Sequence, residues 1–96
     1  MLESQFQHDL IEDLETMLPD CIILKNDPNY IQGIPDLLVL YRNKWAALEC
    51  KKSATAKQQP NQEYYVGCMN AMSFSRFIYP ENKEEVLHEL LQAFRS

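Results

Sequence analysis

Glycine is scarce in this 96-residue chain, which holds only Gly33 and Gly67. A loop that cradles phosphate with successive backbone N–H groups needs closely spaced glycines, so that class of nucleotide site is excluded, as is a glycine-rich linker. The three cysteines, Cys21, Cys50 and Cys68, are odd in number and lack Cys-x-x-Cys spacing. This argues against a disulfide framework or a zinc site and leaves them as small core residues. His8 and His88 stand far apart on predicted helices, which speaks against a zinc or triad role. No apolar run approaches the roughly 20 residues of a membrane span, and the acidic first segment does not read as a signal peptide. The expectation is an intracellular protein with no membrane contact. There is no internal repeat or low-complexity stretch, and 46% hydrophobic residues suffice for one modest core, so residues 1–96 read as a single domain.

Periodicity predicts a helix over about 2–18, a strand near 21–25, hairpin strands at 36–41 and 45–51, a helix from about 60 to 72, a strand at 75–79 and a closing helix from about 83 to 95. The hairpin turn reads as Arg42-Asn43-Lys44. Asn82, followed three positions later by Glu85, has the form of an N-terminal cap. Val86, Leu87, Leu90, Leu91 and Phe94 form the closing helix's buried face, which would pack on the core or mediate a dimer.

The segment richest in chemistry is Gly33-Ile34-Pro35-Asp36, followed thirteen positions on by Glu49-Cys50-Lys51. Alternation along a strand points Glu49 and Lys51 to one side and Cys50 to the other, and pairing across the turn brings Asp36 beside them. Two converging carboxylates offer hard oxygen ligands for Mg²⁺ or Mn²⁺. An adjacent ammonium can orient a water or neutralise charge developing on a phosphate. The plainer reading makes Asp36 a turn residue after proline, and Glu49 and Lys51 a solvated edge-strand pair.

Pro35-Asp36 and Glu49-Cys50-Lys51 resemble the signature of the PD-(D/E)xK nuclease superfamily. Gly33, the short spacer and Gln62-Glu63-Tyr64-Tyr65 on the following helix look most like its virus-type replication-repair nuclease (VRR-Nuc) branch, in particular the stand-alone phage-type members. The resemblance covers roughly residues 1–80. It implies a restriction-endonuclease-like α/β core in the order α-β-β-β-α-β-α, a mixed central sheet flanked by helices, with the closing helix (about 82–95) added. It also implies a Mg²⁺- or Mn²⁺-dependent DNA endonuclease that favours branched, junction or flap DNA and acts as a small homodimer in a bacterial or phage-infected cell, with a replication or repair protein as a further partner. Asp36, Glu49, Lys51 and Gln62 would be catalytic, and the metal would be held by Asp36, Glu49, the Cys50 backbone carbonyl and an acid on the first helix.

Glu3 is the best match for that acid. Leu2, Phe6, Leu10, Leu14 and Met17 recur at helical spacing, and Glu3 falls within about 20–30° of the centre of their stripe, where an ionised carboxylate is costly unless paired or bound to a metal. The other reading places Glu3 exposed in a frayed first turn.

Net charge is −5, an objection to nucleic-acid binding. Its distribution answers in part: residues 1–20 hold six acids and no lysine or arginine, whereas residues 42–57 hold Arg42, Lys44, Lys51, Lys52 and Lys57 against Glu49 alone. The expectation is a basic cluster centred on the candidate site, with Arg42, Lys44, Lys52, Lys57 and Gln59 as contacts to the DNA backbone. The segment Lys52–Asn61, with no apolar side chain larger than alanine apart from Pro60, reads as a flexible polar loop. A nuclease-fold protein that binds nucleic acid or a replication partner without cutting is the alternative; the intact Asp36, Glu49 and Lys51 speak against it.

Overall fold

The computed structural model describes residues 2–96. Its elements are α1 (Glu3–Met17), β1 (Ile22–Lys25), β2 (Leu37–Tyr41), β3 (Lys44–Cys50), α2 (Gln62–Met72), β4 (Ser75–Ile78) and α3 (Lys83–Arg95). The order is the one that periodicity predicts, with ends displaced by a residue or two. Asp36 and Lys51 each fall just outside a strand. β1, β2 and β3 pair antiparallel, and β4 joins β3 in parallel, giving a mixed sheet ordered β1-β2-β3-β4. A parallel pair needs a crossover connection, and α2 supplies it.

The hairpin is tighter than the sequence suggests. Tyr41 pairs with Lys44, so only Arg42 and Asn43 remain in the loop, Arg42 at φ 57°. Two-residue loops that admit positive φ match the twist of the flanking strands, which lets the ladder run one pair further.

Cross-strand register sorts the side chains. Leu37 faces Leu48 and Val39 faces Ala46, and this face of the sheet carries the core. From α1 come Phe6, Leu10 and Leu14, spaced every four residues, with Leu18 just beyond the helix; α3 adds Val86, Leu87, Leu90 and Phe94. Leu10, Leu14 and Leu90 are fully buried, each worth about 1.5–3 kcal/mol over an exposed position. The closing helix therefore belongs to the core, and Phe94 stacks on Tyr41 with ring centroids 5.7 Å apart. On the other face α2 covers β3 and β4 and buries only Val66.

Asn82 does not cap α3 through its side chain. Its Oδ1 accepts from the Tyr79 N–H (2.8 Å) and its Nδ2 donates to the Phe77 carbonyl (3.0 Å), so the carboxamide is spent on the end of β4. The cap pattern identified where the helix begins but not the bonds that form there.

Gly33 has φ +91°, a region that costs other residues about 1–2 kcal/mol. A Cβ here would also stand 2.6 Å from Asn61 Cβ and 2.8 Å from the Pro60 carbonyl oxygen. The turn before Pro35 is thereby pressed against the residues that open α2. Gly33→Ala should lower unfolding stability by about 1 kcal/mol or more in chemical denaturation, whereas Gly67→Ala, where an added Cβ meets nothing within 4 Å, should be neutral or stabilising. Equal stability of the two variants would contradict the contact.

Candidate functional site

The register that pairs Leu37 with Leu48 sets Asp36 opposite Glu49 one step further on. Asp36 Oδ2 accepts the Cys50 N–H at 2.9 Å. Its main chain is fixed from the other side: the Asn26 N–H donates to the Asp36 carbonyl and Asn26 Nδ2 to the Pro35 carbonyl, both at 2.8 Å. The Lys51 N–H donates to the Ile78 carbonyl (2.9 Å), extending the β3–β4 ladder past the end of the strand. Strand pairing thus holds the backbone on both sides of the pair of carboxylates.

Gln62, the first residue of α2, links the side chains. Its Oε1 accepts from Lys51 Nζ (2.6 Å) and from the Gln59 N–H (2.8 Å), while its Nε2 donates to Glu49 Oε2 (3.0 Å). Lys51 Nζ also donates to the Lys57 carbonyl (3.2 Å) and lies 3.9 Å from Glu49 Oε2. Glu49 is 2% exposed and Lys51 6%. Glu49 Oε1 is buried without a hydrogen-bond partner, a state that costs about 1–3 kcal/mol for a polar group and more for a charged one.

The electrostatics follow from that burial. Loss of solvent, then the neighbouring Asp36 carboxylate, push the Glu49 carboxyl up to about 8, against the pull of Lys51. Burial also raises Asp36, opposed by the Cys50 N–H and Lys51. Two carboxylates held face to face with an orphaned oxygen between protein walls are a donor set suited to a hard divalent cation. The Cys50 carbonyl belongs to the residue whose N–H already grips Asp36. Its thiol is fully buried, and burial, then Asp36 and Glu49, drive it far up, so it stays neutral.

A cavity of about 450 Å³ is lined by Glu3, Asp36, Glu49, Lys51, Lys52, Lys57, Gln59 and Gln62. Glu3 enters it from the first turn of α1 and is exposed. The argument that its carboxylate lies on a buried stripe therefore fails: the buried residues of α1 begin at Phe6, and Leu2 is 73% exposed. Glu3 borders the cleft from the solvent side. Arg42 and Lys44 are not in this cleft. They sit at the turn end of the hairpin, roughly 20 Å from Asp36 by strand length. There the Arg42 guanidinium lies 5.0 Å from the Tyr41 ring centroid. The basic cluster expected from sequence proximity is thus split by the hairpin, which puts its turn and its open end at opposite edges of the sheet.

Three positioning groups carried weaker sequence signals. Asn26, at the end of the strand that periodicity places near 21–25, offers by sequence no more than a position on the rim of the cleft, Gly33 enters only as a motif neighbour, and Glu81 has no signal at all. Both Glu81 carboxylate oxygens accept the Ala54 N–H at 3.2 Å, which ties the Lys52–Asn61 segment to the end of β4. With the Lys51–Lys57 bond and the Ala56 N–H on the Ser53 carbonyl (3.2 Å), that polar segment is held at several points. A second acidic group, His8, Asp9 and Glu12, lies on the outer side of α1: His8 Nδ1 stands 3.5–3.6 Å from the two carboxylates, and Asp9 Oδ1 accepts from Gln5 Nε2 at 2.9 Å.

Comparison with protein-family models, with curated proteins and with solved structures finds no match for this chain.

The raised carboxyl has a thermodynamic consequence in protein stripped of divalent cations. Glu49 binds its proton more tightly folded than unfolded, so its contribution to stability is complete below about pH 4.5 and is lost as pH rises through about 8. The melting temperature of chelator-treated protein should therefore carry a declining component across that window, and Glu49→Gln should flatten it. An identical pH profile for the variant would refute the assignment.

Proposed function

We propose that this chain is a Mg²⁺- or Mn²⁺-dependent DNA endonuclease of the PD-(D/E)xK type, nearest the VRR-Nuc branch. The observation that carries the reading is the convergence of Asp36 and Glu49 at one sheet end with Lys51, the ammonium and the Glu49 carboxylate both being bound by the Gln62 carboxamide. The separation of the motif residues in sequence does not require this arrangement; strand register and the start of α2 produce it.

Asp36 and Glu49 would hold the cation, with the Cys50 carbonyl and Glu3 as further oxygen donors. A divalent cation supplies Lewis acidity there, neutralising charge on the phosphoryl oxygens. Lys51 orients a water and stabilises the negative charge that builds on the phosphate. Gln62 fixes the direction of the Lys51 ammonium and keeps it from collapsing onto Glu49. Lys52, Lys57 and Gln59 line the mouth of the cleft, where they can take phosphate oxygens of the strand on either side of the scissile bond.

The same reading favours branched DNA as substrate and two copies as the acting unit. One subunit brings only Lys51, Lys52 and Lys57 to the cleft, a small basic surface for a duplex. Ile22 and Leu24 on edge strand β1 are 58% and 45% exposed, on the part of the sheet that α2 leaves open, and offer apolar surface for a symmetric contact. Light scattering should give the mass of a dimer at active concentrations, and Ile22→Lys with Leu24→Lys should reduce it to one subunit. A single-subunit mass for the unsubstituted protein would remove the dimer.

Two substitutions test the chemistry. Asp36→Asn should abolish the rise in melting temperature that Mn²⁺ gives the unsubstituted protein, since a ligand selective for the folded state stabilises it by mass action. Lys51→Ala should keep the Mn²⁺ shift while slowing cleavage of a labelled branched DNA by a factor on the order of 10² or more. Absence of Mg²⁺- or Mn²⁺-dependent cleavage across duplex, flap and junction substrates would overturn the proposal, and full activity of Lys51→Ala would overturn the role given to that residue.

A further inference from the structure

Lys57 and Gln59, which line the cleft, also line a second concavity of about 630 Å³. Its lining runs from Lys57 through Gln58, Gln59, Pro60 and Asn61 to Glu63 and Tyr64. Tyr64 is 64% exposed. Its ring meets that of Tyr65 close to a right angle (78°) at 5.1 Å between centroids. An edge-to-face contact engages at most one face of either ring, so Tyr64 is braced and still presents an open aromatic face.

The chemistry of the surrounding groups selects among ligands. Gln58, Gln59 and Asn61 are exposed, and each carboxamide offers a donor and an acceptor side by side, the pattern that reads the edge of a nucleobase. Lys57 and Glu63 oppose each other in charge, so the concavity has little attraction for a phosphate; the cleft beside it sets three lysines against three carboxylates and, on the proposed reading, draws a phosphate through its cation. An open aromatic ring beside the amides of Gln58 and Asn61, with no excess of positive charge, suits a base and not the sugar-phosphate backbone.

We infer that Tyr64 and the amides of Gln58 and Asn61 form a stacking site for one unpaired base of the strand whose phosphate occupies the neighbouring cleft. The inference rests on the nucleic-acid reading above and adds to it the residues that would hold a base. A base inside an intact duplex cannot reach the ring, because both its faces are already stacked. DNA with single-stranded nucleotides beside the cut, such as a flap, a tail or an opened junction, can place one there.

The test uses the 96-residue chain with Ca²⁺ in place of Mg²⁺ and a short duplex carrying a single-stranded tail with one 2-aminopurine. Binding should quench the 2-aminopurine fluorescence. Tyr64→Ala should lose the quench and bind the tailed DNA about tenfold more weakly, the usual effect of deleting one stacking contact, while Tyr64→Trp should retain both. Circular dichroism on each variant controls for folding, and Tyr64 is exposed enough for all three proteins to fold. Binding and quenching by Tyr64→Ala at the level of the unsubstituted protein would overturn the inference, as would equal affinity for a tailless duplex. Quenching without any Mg²⁺-dependent cleavage would uphold the stacking site and overturn the nuclease. Cleavage without quenching would do the reverse.

Discussion

Every arrangement in the cleft depends on the register of β2 on β3. Side chains alternate across a sheet, so a slip of one residue would turn Leu37 and Val39 out of the core and carry Asp36 away from Glu49 together. The core and the pair of carboxylates are therefore specified by the same choice. Burial of Leu37, Val39, Ala46 and Leu48 enforces a register whose next step happens to be the costly one. Two acids, Glu49 buried and Asp36 half-buried, are held where solvent relieves them only in part, because the apolar pairs below them leave the chain no alternative. A buried carboxyl pushed to about 8 is the electrostatic signature of that enforcement.

Gln62 converts this tension into order. A carboxamide has one acceptor and one donor end, and here each is used on a partner of the appropriate sign: the oxygen on the Lys51 ammonium, the nitrogen on the Glu49 carboxylate. A direct salt bridge would let Lys51 fold back over Glu49; the 3.9 Å separation shows that it does not close. The third bond of the amide, from the Gln59 N–H, anchors it to the start of α2. On the proposed reading, this bridging amide leaves the ammonium available to a phosphate.

Much of this was legible in the chain. Element order, the alternation that sets Glu49 and Lys51 to one side, and the helical stripe Phe6, Leu10, Leu14 follow from period alone. What the sequence obscured had physical causes. Arg42 and Lys44 are near Glu49 in number but are carried to the opposite edge by the hairpin, since a strand converts a few residues into roughly 20 Å. Glu3 has the phase of a buried residue yet lies beyond the last layer of core, because helical phase gives direction and not depth. Asn82 has the right position for a cap, but two strand-end groups compete for its carboxamide and win. Asn26 and Glu81 act through backbone groups distant in sequence, which no local pattern announces.

The contact of Gly33 with Pro60 and Asn61 has a bearing on when the site comes into being. It joins segments 28 residues apart, and Gln62 follows at once. Until that loop closes, Asp36 and Glu49 can be paired on a finished hairpin while the ammonium of Lys51 has no fixed direction. The complete cleft therefore requires a long-range contact, one glycine seated against one turn, in addition to the hairpin. A chain still emerging from the ribosome, with its first sixty residues formed, would carry the acids of the site without the bridge that organises them. The geometry of the cleft is in this way set by the same contact that docks the start of α2 on the hairpin.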